Sequence, residues 1–143
     1  YKGPGETALK QQEEVITGFY LNTTKPGEAS AFARIMRPQG VALPVLNMAG
    51  WISVKDNLIT KARIAIGPSG PTPKRAFELE DAICGMDINE LKFTKLFTVL
   101  HDSVKFRSSP LRASSAYRDQ LAEVLLQRVL NTAIQRAKES VGA

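Results

Sequence analysis

The spacing of hydrophobic and polar positions changes near the middle of this 143-residue chain. Up to residue 67 the prevailing period is two, the signature of side chains alternating across a strand. From residue 74 onward it is close to 3.6, the signature of one buried helix face. EEVITGFYLN (13–22) alternates Val15, Thr17, Phe19 and Leu21 with Ile16, Gly18 and Tyr20, which predicts a first strand. TTKPGEAS (23–30) holds turn residues. ASAFARIM (29–36) predicts a second strand, with Phe32 as its anchor. RPQGVALP (37–44) reads as a loop or a single helical turn, because Pro38, Gly40 and Pro44 cannot sustain a ladder.

VLNMAGWISV (45–54) predicts a third strand, with Leu46, Met48, Ile52 and Val54 on one face and Asn47, Ala49, Trp51 and Ser53 on the other. Trp51 is large and apolar on that second face, so a helix or a partner chain is expected to cover it. KDN (55–57) turns the chain. LITKARIAIG (58–67) then returns as a fourth strand, with Leu58, Ala62, Ile64 and Ile66 inward and Lys61 and Arg63 outward.

The helical half begins at KRAFELEDAIC (74–84), where Ala76, Leu79 and Ile83 share a face and Gly85 supplies a C-terminal stop. Asp87 and Glu90 have capping-box spacing and predict a helix over 88–103 with Leu91, Leu96, Val99 and Leu100. RSSPLRAS (107–114) connects. Ser114 or Ser115 caps a long last helix over 115–139, whose stripe of Tyr117, Leu121, Leu125 and Val129 is widened by Val124, Leu126, Leu130, Ala133 and Ile134. A stripe that wide is buried on two sides. Strands followed by helices define an α+β class: an antiparallel sheet of three to four strands packed against about three helices, in one domain over 1–143.

Composition narrows the function. Apolar residues make up 43% of the chain and charged ones 23%, as in globular domains. No run of ~18 apolar residues suggests a membrane span, and no leader pattern is visible. The start at Tyr1 reads as a fragment or a processed form. One cysteine, Cys84, fits a reducing, cytoplasmic setting. Its place on an apolar face predicts a buried, inert thiol. The net charge of +5 is concentrated from Lys105 onward, but the basic residues are scattered and nearly free of aromatics, which argues against a nucleic-acid surface.

Candidate chemistry is sparse. IGPSGPTPKRA (66–76) lacks the Gly-Lys-Ser/Thr ending of a phosphate-binding loop and reads as a stiff crossover into the helices. His101, the only histidine, sits at a helix end and suits the dipole there better than catalysis. Glu13/Glu14, Glu78/Glu80 and Asp81 read as solvated faces, and one His with one Cys makes a metal site improbable. The residues alone describe an α+β domain with no active site of its own.

Five stretches together carry a resemblance. GPGETAL (3–9), EEVITGFYLN, SAFARIMRPQGVALPVLNMAGWI (30–52), ARIAIGPSGPTP followed by RA after one residue (62–76), and ASSAYRDQLAEVLLQRVL (113–130) are similar to the C-terminal domain of the FAD-binding (medium) subunit of carbon monoxide dehydrogenase and xanthine dehydrogenase-type molybdenum hydroxylases. The resemblance covers nearly the whole chain. It implies an accessory domain that completes the flavin compartment of a subunit passing electrons from molybdenum and iron–sulfur centres to an acceptor. It implies FAD in the full-length subunit, none held tightly by this stretch, and as partners an upstream FAD-binding domain plus iron–sulfur and molybdopterin subunits. It places Arg37, Gln39 and Asn47 on a flavin-proximal loop and names no catalytic or metal-binding residue. The family's acidic residue before an I-A-x-V step is missing from GVALPV (40–45), so a carboxylate contact to the flavin is not carried over. The alternative is a stand-alone interaction or dimerisation module without a redox role.

Overall fold

The computed structural model describes residues 2–3, 6–10, 12–36, 43–70, 72 and 74–142. Strands β1 (Glu28–Met36), β2 (Pro44–Lys55), β3 (Leu58–Gly67) and β4 (Lys74–Arg75) form one antiparallel sheet in sequence order. Helices α1 (Phe77–Ile83), α2 (Phe93–Ser103) and α3 (Ser115–Val141) follow. All three lie on one face of the sheet: α3 crosses β1 and β2, α1 covers β3, and α2 joins α1 to α3. This is the expected α+β class, with a four-stranded sheet and three helices.

The β2–β3 hairpin forms as the alternation requires. Leu46, Met48, Ile52, Ile64 and Ile66 are buried against the helices. Asp56 and Asn57 make the two-residue turn, both at positive φ (51° and 61°), which matches the right-handed twist of the strands they join. α3 presents Leu121, Leu125, Val129, Ala133 and Ala137 to the sheet. Gly50 lets the helix approach: a Cβ there would stand 2.5 Å from Val129 Cγ1. Ser114 caps α3, accepting a hydrogen bond from the Tyr117 N–H. Ser114→Ala is expected to lower stability by about 1 kcal/mol, and urea denaturation followed by far-UV circular dichroism measures it.

Several expectations are corrected. Residues 13–22 form no strand. Val15 (85% exposed), Phe19 (82%) and Leu21 (89%) project into solvent, and the segment bonds to no strand of the described sheet. The four strands therefore begin at Glu28, and the fourth is the short β4, which pairs Lys74 and Arg75 with Ile66 and Ala65. β1 keeps its place but turns the other face inward. Ala29 and Ala31 are buried and Phe32 is 62% exposed, because α3 lies so close over β1 that only small side chains fit beneath it.

Leu58 faces out and Ile59 faces in. A bulge pairs Ser53 with Lys61 but Val54 with Ile59, and the extra residue, Thr60, reverses the alternation. α1 starts at Phe77 rather than 74, since Lys74 and Arg75 are held by the sheet. α2 starts at Phe93 rather than 88. Asp87 accepts hydrogen bonds from the Asn89 N–H and side-chain amide in a local turn, and Asp87 also bridges to Leu58. On α3, Tyr117 and Val124 are exposed and lie off the buried stripe. Cys84 is exposed, because it is the residue that leaves α1 before Gly85 turns at φ 83°.

Candidate functional site

The end of the sheet where β1 passes to β2 is the place to look for a site. Arg37 and Gln39 lie outside the described residues. Asn47 lies on β2, half-buried on the sheet face away from the helices, between Arg34 on β1 and Gly67 on β3. Beyond Gly67 the chain bends through Pro68, Ser69 and Gly70, and Ser69 Oγ donates to the Ile66 carbonyl (2.9 Å). Asn47, Pro44, Gly67, Ser69 and Thr72 border an open recess of about 410 Å³. Its walls are mostly apolar, with an amide, hydroxyls and the Arg112 side chain among its lining. Such a recess can seat the edge of a flat polar ring and hydrogen-bond to it. Among its described lining residues there is no carboxylate, imidazole or thiol.

The stretch IGPSGPTPKRA is thus a crossover in its described residues, leading from β3 through β4 to α1. Its last part carries a feature the sequence did not disclose. Glu80, read as part of a solvated face, is 4% exposed. It accepts from the Ile64 N–H (2.8 Å), from Arg75 Nε (2.9 Å) and from Arg75 Nη2. The hydrogen bond to Glu80 raises the Arg75 pKa above its ordinary value, against a lowering by burial, and the carboxylate's charge adds to the rise. Arg75 also lies 4.7 Å over the Phe77 ring. This cluster locks the crossover to the sheet.

His101 is in the last turn of α2, as expected, but its ring faces α3. Nε2 lies 2.7 Å from Glu123 Oε1, and Nδ1 is 3.7 Å from Asp119 Oδ1. The cluster clasps two helices, and Lys105 Nζ donates to the His101 carbonyl (2.7 Å) in the role of a helix-end cation. Arg118, which the sequence reading also passed over, is 5% exposed, and its Nε has no hydrogen-bond partner. Trp51 is half-buried, and its ring is covered by the Arg63 guanidinium at 5.3 Å rather than by a helix. Among the described residues no group of three or more His, Cys, Asp and Glu could hold a metal ion, and no helix is long and apolar enough to cross a membrane.

The described residues form a two-layer α+β domain with a recess at one end of the sheet. The sequence pattern of the CO dehydrogenase flavoprotein C-terminal domain matches residues 30–133, and the chain belongs to that family.

Solved structures share the fold. A Cu,Mo-CO dehydrogenase in its cyanide-inactivated form is 21% identical with a TM-score of 0.67, over 77% of this chain and 38% of that one. Quinoline 2-oxidoreductase from Pseudomonas putida 86 is 24% identical with a TM-score of 0.65, over 78% and 39%. A carbon monoxide dehydrogenase from Hydrogenophaga pseudoflava, lacking the Mo-pyranopterin moiety of its cofactor, is 20% identical with a TM-score of 0.69, over 79% and 39%. The chain thus spans about two fifths of the length of these relatives. No curated protein sequence matches it.

Proposed function

We propose that this chain is the accessory domain of an FAD-containing oxidoreductase subunit, which closes the flavin compartment and docks the subunit against iron–sulfur and molybdenum partners. The observation that carries this reading is the segment before the family's domain. Residues 14–21 keep the alternation of a strand, yet Val15, Ile16, Phe19, Tyr20 and Leu21 all stand 55% exposed or more. So much apolar surface without a cover marks an interaction site. A flavin-binding domain ahead of this one would supply the sheet that residues 13–22 are patterned to join.

The residues at the β1–β2 end fit one edge of a flavin. Asn47 offers both a donor and an acceptor, and the walls around it are apolar. α1, the helix that follows the recess, is 7 residues long and has no side-chain cap, so it supplies no helix-terminus seat for a dinucleotide's diphosphate. When bound, a flavin accepts and passes on electrons, and the protein's part is to orient the ring and exclude water. In this reading Asn47 fixes the ring edge, and Arg37 and Gln39 line the approach to it. The activity belongs to the assembled enzyme, in a cytoplasmic setting.

FAD titration tests the reading. The chain alone is expected to bind no flavin, and the chain joined to its flavin-binding region to bind it tightly and turn yellow. Asn47→Ala in the joined protein is expected to weaken flavin retention by roughly fivefold, the loss of about one hydrogen bond. Micromolar FAD binding by the chain alone would place a complete flavin site within it. Absence of binding in both forms would favour the interaction module without a redox role.

A further inference from the structure

The helices cover one face of the sheet. The other face is open, and the strand register fixes what it presents. One cross-strand row is Phe32–Ala49–Ala65–Arg75. On one side of it runs Ser30–Trp51–Arg63, and on the other Arg34–Asn47–Gly67. Ala49 and Ala65 are small and lie between large neighbours, so they form the floor of a trough. Phe32 stands at the β1 end of this floor and Arg75 at its β4 end, while Trp51 and the Arg63 guanidinium over its ring wall one side. Cavities of about 390 and 410 Å³ share these two alanines, so the trough is continuous along the face.

The charge on this face is one-sided. Arg34, Lys61 and Arg63 are exposed on it, and Arg75 stands at its edge. Among the described strand residues the only carboxylate pointing the same way is Glu28, in the corner row with Ser53 and Lys61. Glu80 is buried beneath Arg75 with its oxygens already engaged. The Arg63 guanidinium lies over the Trp51 ring at 5.3 Å, and its N–H donors are available to an outside acceptor.

We propose that this open sheet face is a docking surface for an acidic polypeptide segment carrying an aromatic or branched apolar side chain. The apolar side chain enters the trough over Ala49 and Ala65. The flanking carboxylates pair with Arg63, Lys61 and Arg34, where the floor and the Phe32 ring exclude water. Apolar anchors in a pocket, rimmed by charge pairs that set orientation, are how such interfaces divide affinity and specificity. A nucleic acid fits less well, because one of the two rings is already capped by a guanidinium and is not free to stack a base. One end of the trough is the recess read above as seating a flavin edge, but the inference does not rest on that reading, since its test needs no cofactor.

Trp51 is the chain's only tryptophan and lies in the trough, so it reports occupancy directly. The chain is titrated with a random copolymer of glutamate and tyrosine, with polyglutamate, and with single-stranded oligothymidine. Trp51 emission and the anisotropy of the labelled probe are both followed. The copolymer is expected to shift Trp51 emission and to bind about tenfold more tightly than polyglutamate. Arg63→Glu is expected to weaken that binding about tenfold, and Ala49→Glu, which fills the floor with a repelling charge, by at least as much. Arg128→Glu, exposed on α3 away from the sheet, is the control and is expected to stay within about twofold. Equal losses at Arg63 and Arg128 would reduce the effect to net charge and overturn the proposal. So would binding without a Trp51 response, or tighter binding of oligothymidine than of the copolymer.

Discussion

Glu80→Ala is expected to destabilise the domain by about 3 kcal/mol, and the loss follows from one orphaned backbone donor. Ile64 sits mid-strand on β3 and is fully buried. On the side away from β2, the next strand is only two residues long. The Ile64 carbonyl is met by the Ala76 N–H (2.9 Å), but its own N–H has no strand to face and donates to Glu80 Oε1. The carboxylate therefore completes the edge of the sheet. Removing it leaves the buried Ile64 N–H with no protein acceptor. Arg75 is exposed enough to recover its hydration, so the backbone group dominates. Glu80→Gln keeps an acceptor for Ile64 and is expected to cost about 1 kcal/mol. Urea denaturation of the two variants distinguishes them. Equal destabilisation would mean that the charge pair with Arg75, rather than the Ile64 N–H, carries the effect.

Gly50→Ala is expected to cost about 2 kcal/mol although it adds a single methyl group. The added Cβ would lie 2.5 Å from Val129 Cγ1 and 3.1 Å from Ile64 Cδ1. Val129 cannot easily turn aside, since a β-branched residue in a helix is held to one main rotamer. Relief requires α3 to lift from the sheet, which loosens its contacts with β1 and β2 together. Trimming the neighbour should restore the fit. In a double-mutant cycle, Val129→Ala is expected to be much less harmful in the Gly50→Ala background than in the parent, with a coupling of about 1–2 kcal/mol. Additive effects would show that the helix already stands far enough from β2 to accommodate the methyl group.

The parts of the fold legible in the sequence were those whose pattern is decided by the segment itself. The β2–β3 hairpin and α3 are long, strongly periodic and locally capped, and the structure has them where the pattern puts them. The misreadings came from information held elsewhere. Residues 13–22 alternate as a strand does, but a strand exists only when another strand bonds to it, and the described sheet provides none. Phe32 is the largest side chain of β1 and so suggested the inward face. The inward face is instead set by how near α3 comes, and it admits Ala29 and Ala31. One bulge residue, Thr60, reversed the parity at Leu58. Asp87 and Glu90 have the spacing of a capping box, yet Asp87 serves a turn whose shape is set by its bridge to β3. Of the site, Asn47 was legible as a residue of the outer face beside a broken loop. Glu80 was not, because adjacent acidic residues on a short helix look solvated until the missing strand beside Ile64 is known.

The meeting of Gly27 and Ser140 has a consequence for how such a domain can be exchanged. The Gly27 N–H donates to Ser140 Oγ at 2.9 Å, and the Gly27 carbonyl accepts from the Val54 N–H at 2.8 Å. The first turn before β1 and the last turn of α3 are thus tied at one corner, so everything between them is a loop closed on itself. A module with adjoining ends can be swapped through a single seam, and neighbours fused at that corner need not be pulled apart to admit it.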